Sequence, residues 1–295
     1  MPATENARAQ STDPRRRFAM SVDVEDYYQV WAFSDVIERS SWDAQPSRVD
    51  AATRRVLDLF DRHRAKATFF VLGWVAERAP DLIRDIVARG HELASHGYDH
   101  RKVFDQSPEM FREDVVRTKT ILEDIAGVAV TGFRAAGFSI DRRTPWAYEI
   151  LAEAGHHYSS SSHPIAHDHY GDPGGPRSPR LLGGVIEAPV ATADFLGRRV
   201  SCAGGGWFRA APYAMSALLL KKAAASIDGP AIFYFHPWEI DADQPRIADA
   251  SAKSKFRHYL NLDRMQGKLE RLLGEFHWGR IDEAIALEPL RVVAA

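Results

Sequence analysis

Short apolar runs alternate along the chain with longer stretches in which apolar residues recur every three or four positions. That alternation is the pattern of buried strands joined by amphipathic helices. Residues 18–24, 67–72 (ATFFVL), 92–95, 130–134, 185–190 and 231–235 predict strands. Helical periodicity covers 48–64, where Ser47 is the expected cap, and 81–89, which ends at Gly90. It returns from Pro108, behind a Ser-Pro start, to Gly127, and again over 144–153, 211–225 and 255–273. Residues 159–179 are rich in Ser, His, Gly and Pro and predict a long loop. About six or seven strand–helix units suit an incomplete α/β barrel better than an eightfold one, and a doubly wound open sheet shares the same periodicity.

Polar clusters stand at the ends of four of these runs, where barrel folds carry their chemistry. Asp23, Glu25 and Asp26 close the first strand, His96 and His100 follow the third, Arg134 ends the fourth, and His236 follows 231–235. Two imidazoles four residues apart and a carboxylate are an open ligand set for zinc or a related divalent ion. Three carboxylates crowded after a buried strand repel one another unless a cation neutralises them.

Composition changes the picture little. The chain has 295 residues, 45% hydrophobic and 26% charged, with a net charge of −2, the profile of a globular protein with no electrostatic pull towards nucleic acid. Cys202 is the single cysteine, so no disulfide framework forms within one chain. No apolar run approaches the roughly 18 residues of a membrane span. Residues 1–16 read as a polar disordered tail without a signal-peptide core, so a cytoplasmic location is expected.

SVDVEDYY, SHGYDH, GFRAAGFS and YFHPWE, in this order, resemble the polysaccharide deacetylases of the NodB-homology type, carbohydrate esterase family 4. GGGWFR, HPWEIDADQPR and HYLNLDR resemble a subgroup associated with exopolysaccharide biosynthesis in exosortase-containing bacteria. The resemblance implies a distorted (β/α)7 barrel as one domain over 17–295, with 240–295 a subgroup-specific extension. It further implies metal-dependent hydrolysis of N-acetyl groups on a polysaccharide or oligosaccharide. Asp23 matches the general base, Arg134 the arginine that orients it, and His236 the general acid. His96 and His100 match the metal ligands, with Glu25 as the third and Asp26 its alternate; the ion is zinc, with cobalt or nickel as substitutes.

Two departures stand out. The prolines that commonly follow the arginine are Ala135 and Ala136, and Ser159 occupies the place of an aspartate that tunes the acid histidine in the family. Among Tyr27, Tyr28, Trp31, Trp207, Phe208 and Trp238, the expected sugar-stacking residues are Trp207 and Trp238. The loop from His163 to Tyr170 is expected to be exposed and substrate-facing, His91 structural, and His63, His258 and His277 on helix faces or the surface. Two rival readings are an amidohydrolase that opens a cyclic ureide or imide, as allantoinases do, and a degenerate carbohydrate-binding relative.

Overall fold

In the computed structural model, which describes residues 18–166 and 171–285, the apolar runs become strands of one curled sheet. Strand β1 (Phe18–Val24) leads through α1 (Val49–His63) to β2 (Thr68–Val71), then α2 (Gly73–Arg78), α3 (Pro80–Ala88) and β3 (Glu92–Ser95). Helix α4 (Pro108–Ala126), β4 (Gly132–Phe133), α5 (Ala147–Glu153) and β5 (Tyr158–Ser159) follow. Next come β6 (Arg180–Leu182), β7 (Val185–Glu187), β8 (Thr192–Phe195), β9 (Arg198–Ser201), α6 (Gly205–Ala210) and α7 (Tyr213–Ser226). The described chain ends with β10 (Ala231–Phe235), α8 (Ala252–Tyr259), α9 (Leu262–Glu275) and α10 (Ile281–Ile285).

The main sheet runs β10-β1-β2-β3-β4-β5-β7-β6 and is parallel except for β6, which lies antiparallel on β7. Three residues past β7, Val190 bridges Ile232 in parallel, and the Ala191 N–H donates to the Ile232 carbonyl at 2.9 Å. Seven parallel strands thus circle a distorted barrel, as expected. Its last seam is a single bridge, because β6 already occupies the edge of β7. Strands buried on both faces need no polar alternation, which is why FAMSVDV and AIFYF read as nearly continuous apolar runs.

Register places the site. Val24 pairs with Val71, Val71 with Ser95, Ser95 with Phe133 and Phe133 with Ser159. The next residues, Glu25, His96, Arg134 and Ser160, therefore emerge on one rim. Val22 pairs with Phe235, so Asp23 stands level with His236.

Several elements differ from expectation. The helix predicted over 255–273 is two helices, broken where Asn261 takes a left-handed φ of 53°. The strand expected over 185–190 forms as β7, but its hairpin partner β6 and the hairpin β8–β9 went unpredicted, because strands of three or four residues are too short to show a period. Their turns, Gly183-Gly184 and Leu196-Gly197, have positive φ at both central positions, the two-residue geometry that suits strand twist. His163 and Ile165 are buried rather than part of an exposed loop. The rest of the expected loop, His167 to Tyr170, lies outside the described residues, as does the expected tail 1–16. Among the described residues no helix is long and apolar enough to cross a membrane.

Candidate active site

Glu25, His96 and His100 meet at the rim, with one potential ligand atom from each lying within 4.8 Å of the others. His96 Nδ1 lies 2.8 Å from the Arg134 carbonyl oxygen. A carbonyl only accepts, so Nδ1 carries the proton and Nε2 keeps its lone pair for the site. Burial pushes the His96 imidazole down to about 4, so it is neutral at pH 7. His100 sits in a left-handed conformation, φ 57°, clamped by Arg39, which donates from Nε to the Asp99 carbonyl at 2.8 Å and from a guanidinium nitrogen to the His100 carbonyl at 3.3 Å. Uncommon backbone of this kind persists only where its surroundings hold it.

Glu25 is buried, and its Oε2 lies 3.0 Å from His100 Nε2 without hydrogen-bond alignment. Burial pushes the carboxyl up, but the His100 and His236 imidazoles more than offset this and hold it at about 2. The donor set fits a divalent ion. Metal–ligand bonds near 2.0 Å separate tetrahedral ligands by roughly 3.3 Å, close to the 3.0 Å between Glu25 Oε2 and His100 Nε2. An aligned internal hydrogen bond, which would compete with an ion, is missing at Oε2.

Asp26, the alternate ligand, is committed elsewhere. Its Oδ2 accepts from the backbone N–H groups of Arg48 and Val49 at 2.7 and 3.0 Å and from Ser47 Oγ at 2.8 Å, while Oδ1 accepts from the Tyr27 N–H at 2.9 Å. It caps α1 from 22 residues away, in place of the predicted Ser47. That corrects both expectations: a carboxylate with these four donors has no capacity left for an ion.

Arg134 is 0% exposed and its guanidinium is fully engaged. One terminal nitrogen donates to Asp23 Oδ1 at 2.6 Å and Ser21 Oγ at 2.9 Å. Nε donates to the Ser160 carbonyl and the other terminal nitrogen to Ser160 Oγ, both at 2.9 Å. The Ser159–Ser161 hydroxyl pair (2.8 Å) and the Ala135 N–H on Ser161 Oγ (2.9 Å) brace the same loop. The serine run therefore stiffens a segment that lacks the prolines.

His236 presents Nε2 to Glu25 Oε1 at 3.3 Å and Nδ1 to Glu239 Oε1 at 2.9 Å. Burial pushes this imidazole down, and Glu25 and Glu239 more than reverse it, to about 9. Glu239 is itself paired with Arg209 Nε at 2.7 Å, both side chains being buried. Arg209 spends its remaining donors on the carbonyls of Arg257, His258 and Leu260. Glu239, three residues after the histidine, thus places a carboxylate at Nδ1. Sequence reasoning missed Glu239 and Arg209, although HPWE and GGGWFR carry them. Gly205 explains that second motif, because any Cβ there would collide with the Glu239 carboxylate.

Trp238 is corrected. It is 6% exposed and stacked between His236 (5.2 Å, 17°) and His258 (4.1 Å, 13°), so neither face is open to a sugar. His258, expected on a helix face or at the surface, lies in the last turn of α8, where it is 3% exposed and bonded to Gln244 Oε1 at 2.7 Å. Trp207 is 46% exposed, and its ring remains available. Tyr27, Tyr28 and Phe208 are core residues, whereas Trp31 is exposed with the Lys102 ammonium 3.1 Å from its ring centre. His91 is structural, its Nδ1 accepting from the Ala67 N–H at 3.2 Å.

Residues 40–159 match the family model described as polysaccharide deacetylase, and residues 160–286 match one described as a domain of unknown function, DUF3473. A peptidoglycan-N-acetylglucosamine deacetylase of Bacillus cereus is 33% identical over 98 residues, 33% of this chain and 36% of the relative. A chitooligosaccharide deacetylase of Bradyrhizobium is 32% identical over 100 residues, 34% of this chain and 43% of the relative. The chain thus spans less than half the length of these curated relatives. A Mycobacterium smegmatis structure assigned to the polysaccharide deacetylases superposes with a TM-score of 0.60 at 19% identity, covering 97% of this chain and 96% of the other. A peptidoglycan N-acetylglucosamine deacetylase solved with an N-oxidanyl-benzamide compound gives 0.51 at 15% identity over 94% and 91%. Both show the shared fold.

Proposed function

We propose, from the premise that the chain belongs to the polysaccharide deacetylases of the NodB-homology type, that it hydrolyses N-acetyl groups on a polysaccharide or oligosaccharide. The observation that carries the reading is the convergence of Asp23, Glu25, His96, Arg134 and His236 from four strand ends on one rim, with His100 beside them. A carbohydrate-binding surface has no use for a buried acid–base set of this kind. His96, His100 and Glu25 would hold the divalent ion, zinc in the first instance, with cobalt or nickel able to replace it. Such an ion lowers the pKa of bound water and polarises the carbonyl it faces.

The chain's own residues supply the rest. Asp23, paired with Arg134 at 2.6 Å, takes the proton of the attacking water. Arg134, being rigidly held, aims that carboxylate instead of leaving it to rotate. His236 delivers a proton from Nε2 to the departing amine, and Glu239 on Nδ1 fixes which nitrogen faces the site. Each positioned acid or base is worth about 10²–10⁴ in rate. Trp207 offers the stacking face for a sugar ring.

The exosortase-associated resemblance and the DUF3473 match support a place in exopolysaccharide biosynthesis, on a nascent or lipid-linked intermediate on the cytoplasmic side. Acetate release from N-acetylglucosamine oligomers of increasing length tests the reading. Opening of a cyclic ureide without acetate release would replace it.

A further inference from the structure

The backbone from Gly97 to His100, which joins the two histidines of the rim, is anchored at every residue. Gly97 and His100 take positive φ, 72° and 57°, so the chain doubles back and brings the His96 and His100 rings to 5.3 Å, centroid to centroid. A turn of this kind keeps its shape only where its neighbours hold it. The first two N–H groups of α2, at Gly73 and Trp74, donate to the carbonyls of Gly97 and Tyr98, both at 3.0 Å. Arg39 takes the carbonyls of Asp99 and His100. From the opposite side, α4 meets the same stretch through one side chain: the Tyr98 N–H donates to Asp114 Oδ1 at 2.7 Å.

Asp114 is placed for this contact. It stands, partly buried, at the edge of the buried stripe Phe111, Val115, Thr118 and Leu122 of α4. Thr118 Oγ1, one turn on, donates to the same Oδ1 at 3.3 Å and keeps the side chain turned to the loop. The other oxygen lies against Gly97, where a Cβ would stand 3.1 Å from it. Glycine at 97 therefore answers two demands, the positive φ and the close approach of the carboxylate. Burial pushes the Asp114 carboxyl up to about 6, which the Tyr98 N–H only partly offsets. An apolar residue would pack here without that cost, but it would take away the acceptor of the Tyr98 N–H. The Tyr98 side chain is anchored separately, its hydroxyl on Glu77 at 2.6 Å and its ring under Arg117 at 3.5 Å. The bond to Asp114 thus acts on the backbone alone.

We propose that Asp114 is a positioning residue of the metal centre. Through the Tyr98 N–H it holds the peptide midway between His96 and His100, and so fixes the relative aim of the two imidazoles. The inference rests on the reading in which these histidines hold the ion. Groups that orient metal ligands from behind are worth about 10–100-fold in metal affinity. Here the group acts on the backbone between the ligands instead of on either ring.

The test measures zinc affinity of the full chain by competition with a chelator, together with the cobalt(II) absorption spectrum, which reports ligand geometry. Asp114→Ala should bind zinc about 10–100-fold more weakly and change the cobalt spectrum. Asp114→Asn keeps a carbonyl oxygen for the Tyr98 N–H and should restore both. If the alanine variant does not fold, Asp114→Ser, whose hydroxyl is one bond shorter, carries the same expectation. A merely structural role would lower Tm and leave the zinc affinity and cobalt spectrum of the folded variant as in wild type. That result, or an asparagine variant as weak as alanine, overturns the assignment. His96→Ala is the control for the reading beneath it. If wild type binds no zinc that His96→Ala removes, the metal site fails and the role of Asp114 with it, whereas a failure confined to the Asp114 variants leaves the metal site standing.

Discussion

Glu239→Gln isolates what the Arg209–Glu239–His236 chain contributes. The wild-type carboxylate accepts three donors: the His236 N–H at 3.1 Å and His236 Nδ1 at 2.9 Å on one oxygen, and Arg209 Nε at 2.7 Å on the other. A carboxamide has the same shape but only one accepting oxygen. Its NH2 must face either Arg209 or His236, and both present donors. If the oxygen stays with Arg209, His236 loses the acceptor that keeps its proton on Nδ1 and its Nε2 towards Glu25. If it stays with His236, a buried guanidinium loses its partner, a change that costs about 3–5 kcal/mol of stability. A positioned acid is worth about 10²–10⁴ in rate, or roughly 3–5 kcal/mol of barrier at 1.36 kcal/mol per decade. Steady-state acetate release should therefore show kcat down by that factor with KM unchanged, because the interaction operates in the transition state. Thermal unfolding on the same samples separates the stability cost. A folded variant whose kcat stays within about threefold of wild type, well under one decade of barrier, refutes the reasoning.

Asp23→Asn should retain one metal per chain and lose about 10²–10⁴ in kcat; near-normal turnover would remove Asp23 as base. Asp26→Ala should cost about 1–2 kcal/mol in urea unfolding, as helix-cap losses do, with metal content intact, and loss of metal would reinstate it as a ligand. Gly205→Ala drives a methyl into the Glu239 carboxylate. It should cost about 1–3 kcal/mol by overpacking and lower kcat as well, so a lowered Tm with full kcat would disconnect Glu239 from catalysis. Burial, followed by the Asp282 charge, pushes the Glu92 carboxyl up from 4.5 to about 8. The folded state thus keeps a proton that the unfolded chain has released. The associated stability is fully present below pH 4.5 and is lost as pH rises through about 8. Urea unfolding from pH 5 to 8 should show that loss in wild type and a flatter dependence in Glu92→Gln, and equal slopes would contradict it.

The barrel was legible because its strands are buried on both faces and its longer helices carry clear end signals, such as Ser107-Pro108 and Gly127 around α4. The short hairpins and the break at Asn261 were not, since a left-handed residue between two amphipathic helices leaves the apolar period nearly unbroken. The rim residues were legible as types at strand ends. Their roles depended on contacts that spacing does not encode. Asp26 and Glu25 are adjacent, yet the first reaches the N-terminus of α1 and the second turns to His100. Trp238 looked like a sugar platform because it follows His236, and only the position of His258 under its other face removes that reading. Glu239 was hidden in the same way, three residues along a tight turn from the histidine it holds.

The central claim is that His96, His100 and Glu25 hold the metal that an acetamide-hydrolysing rim uses. Acetate release from N-acetylglucosamine oligomers, measured with zinc, cobalt or nickel on wild type and on His96→Ala, tests it most directly. The account predicts metal-dependent acetate release by wild type and none by the variant. Release that persists undiminished in His96→Ala, or none by wild type from any oligomer with any of the three ions, would contradict it.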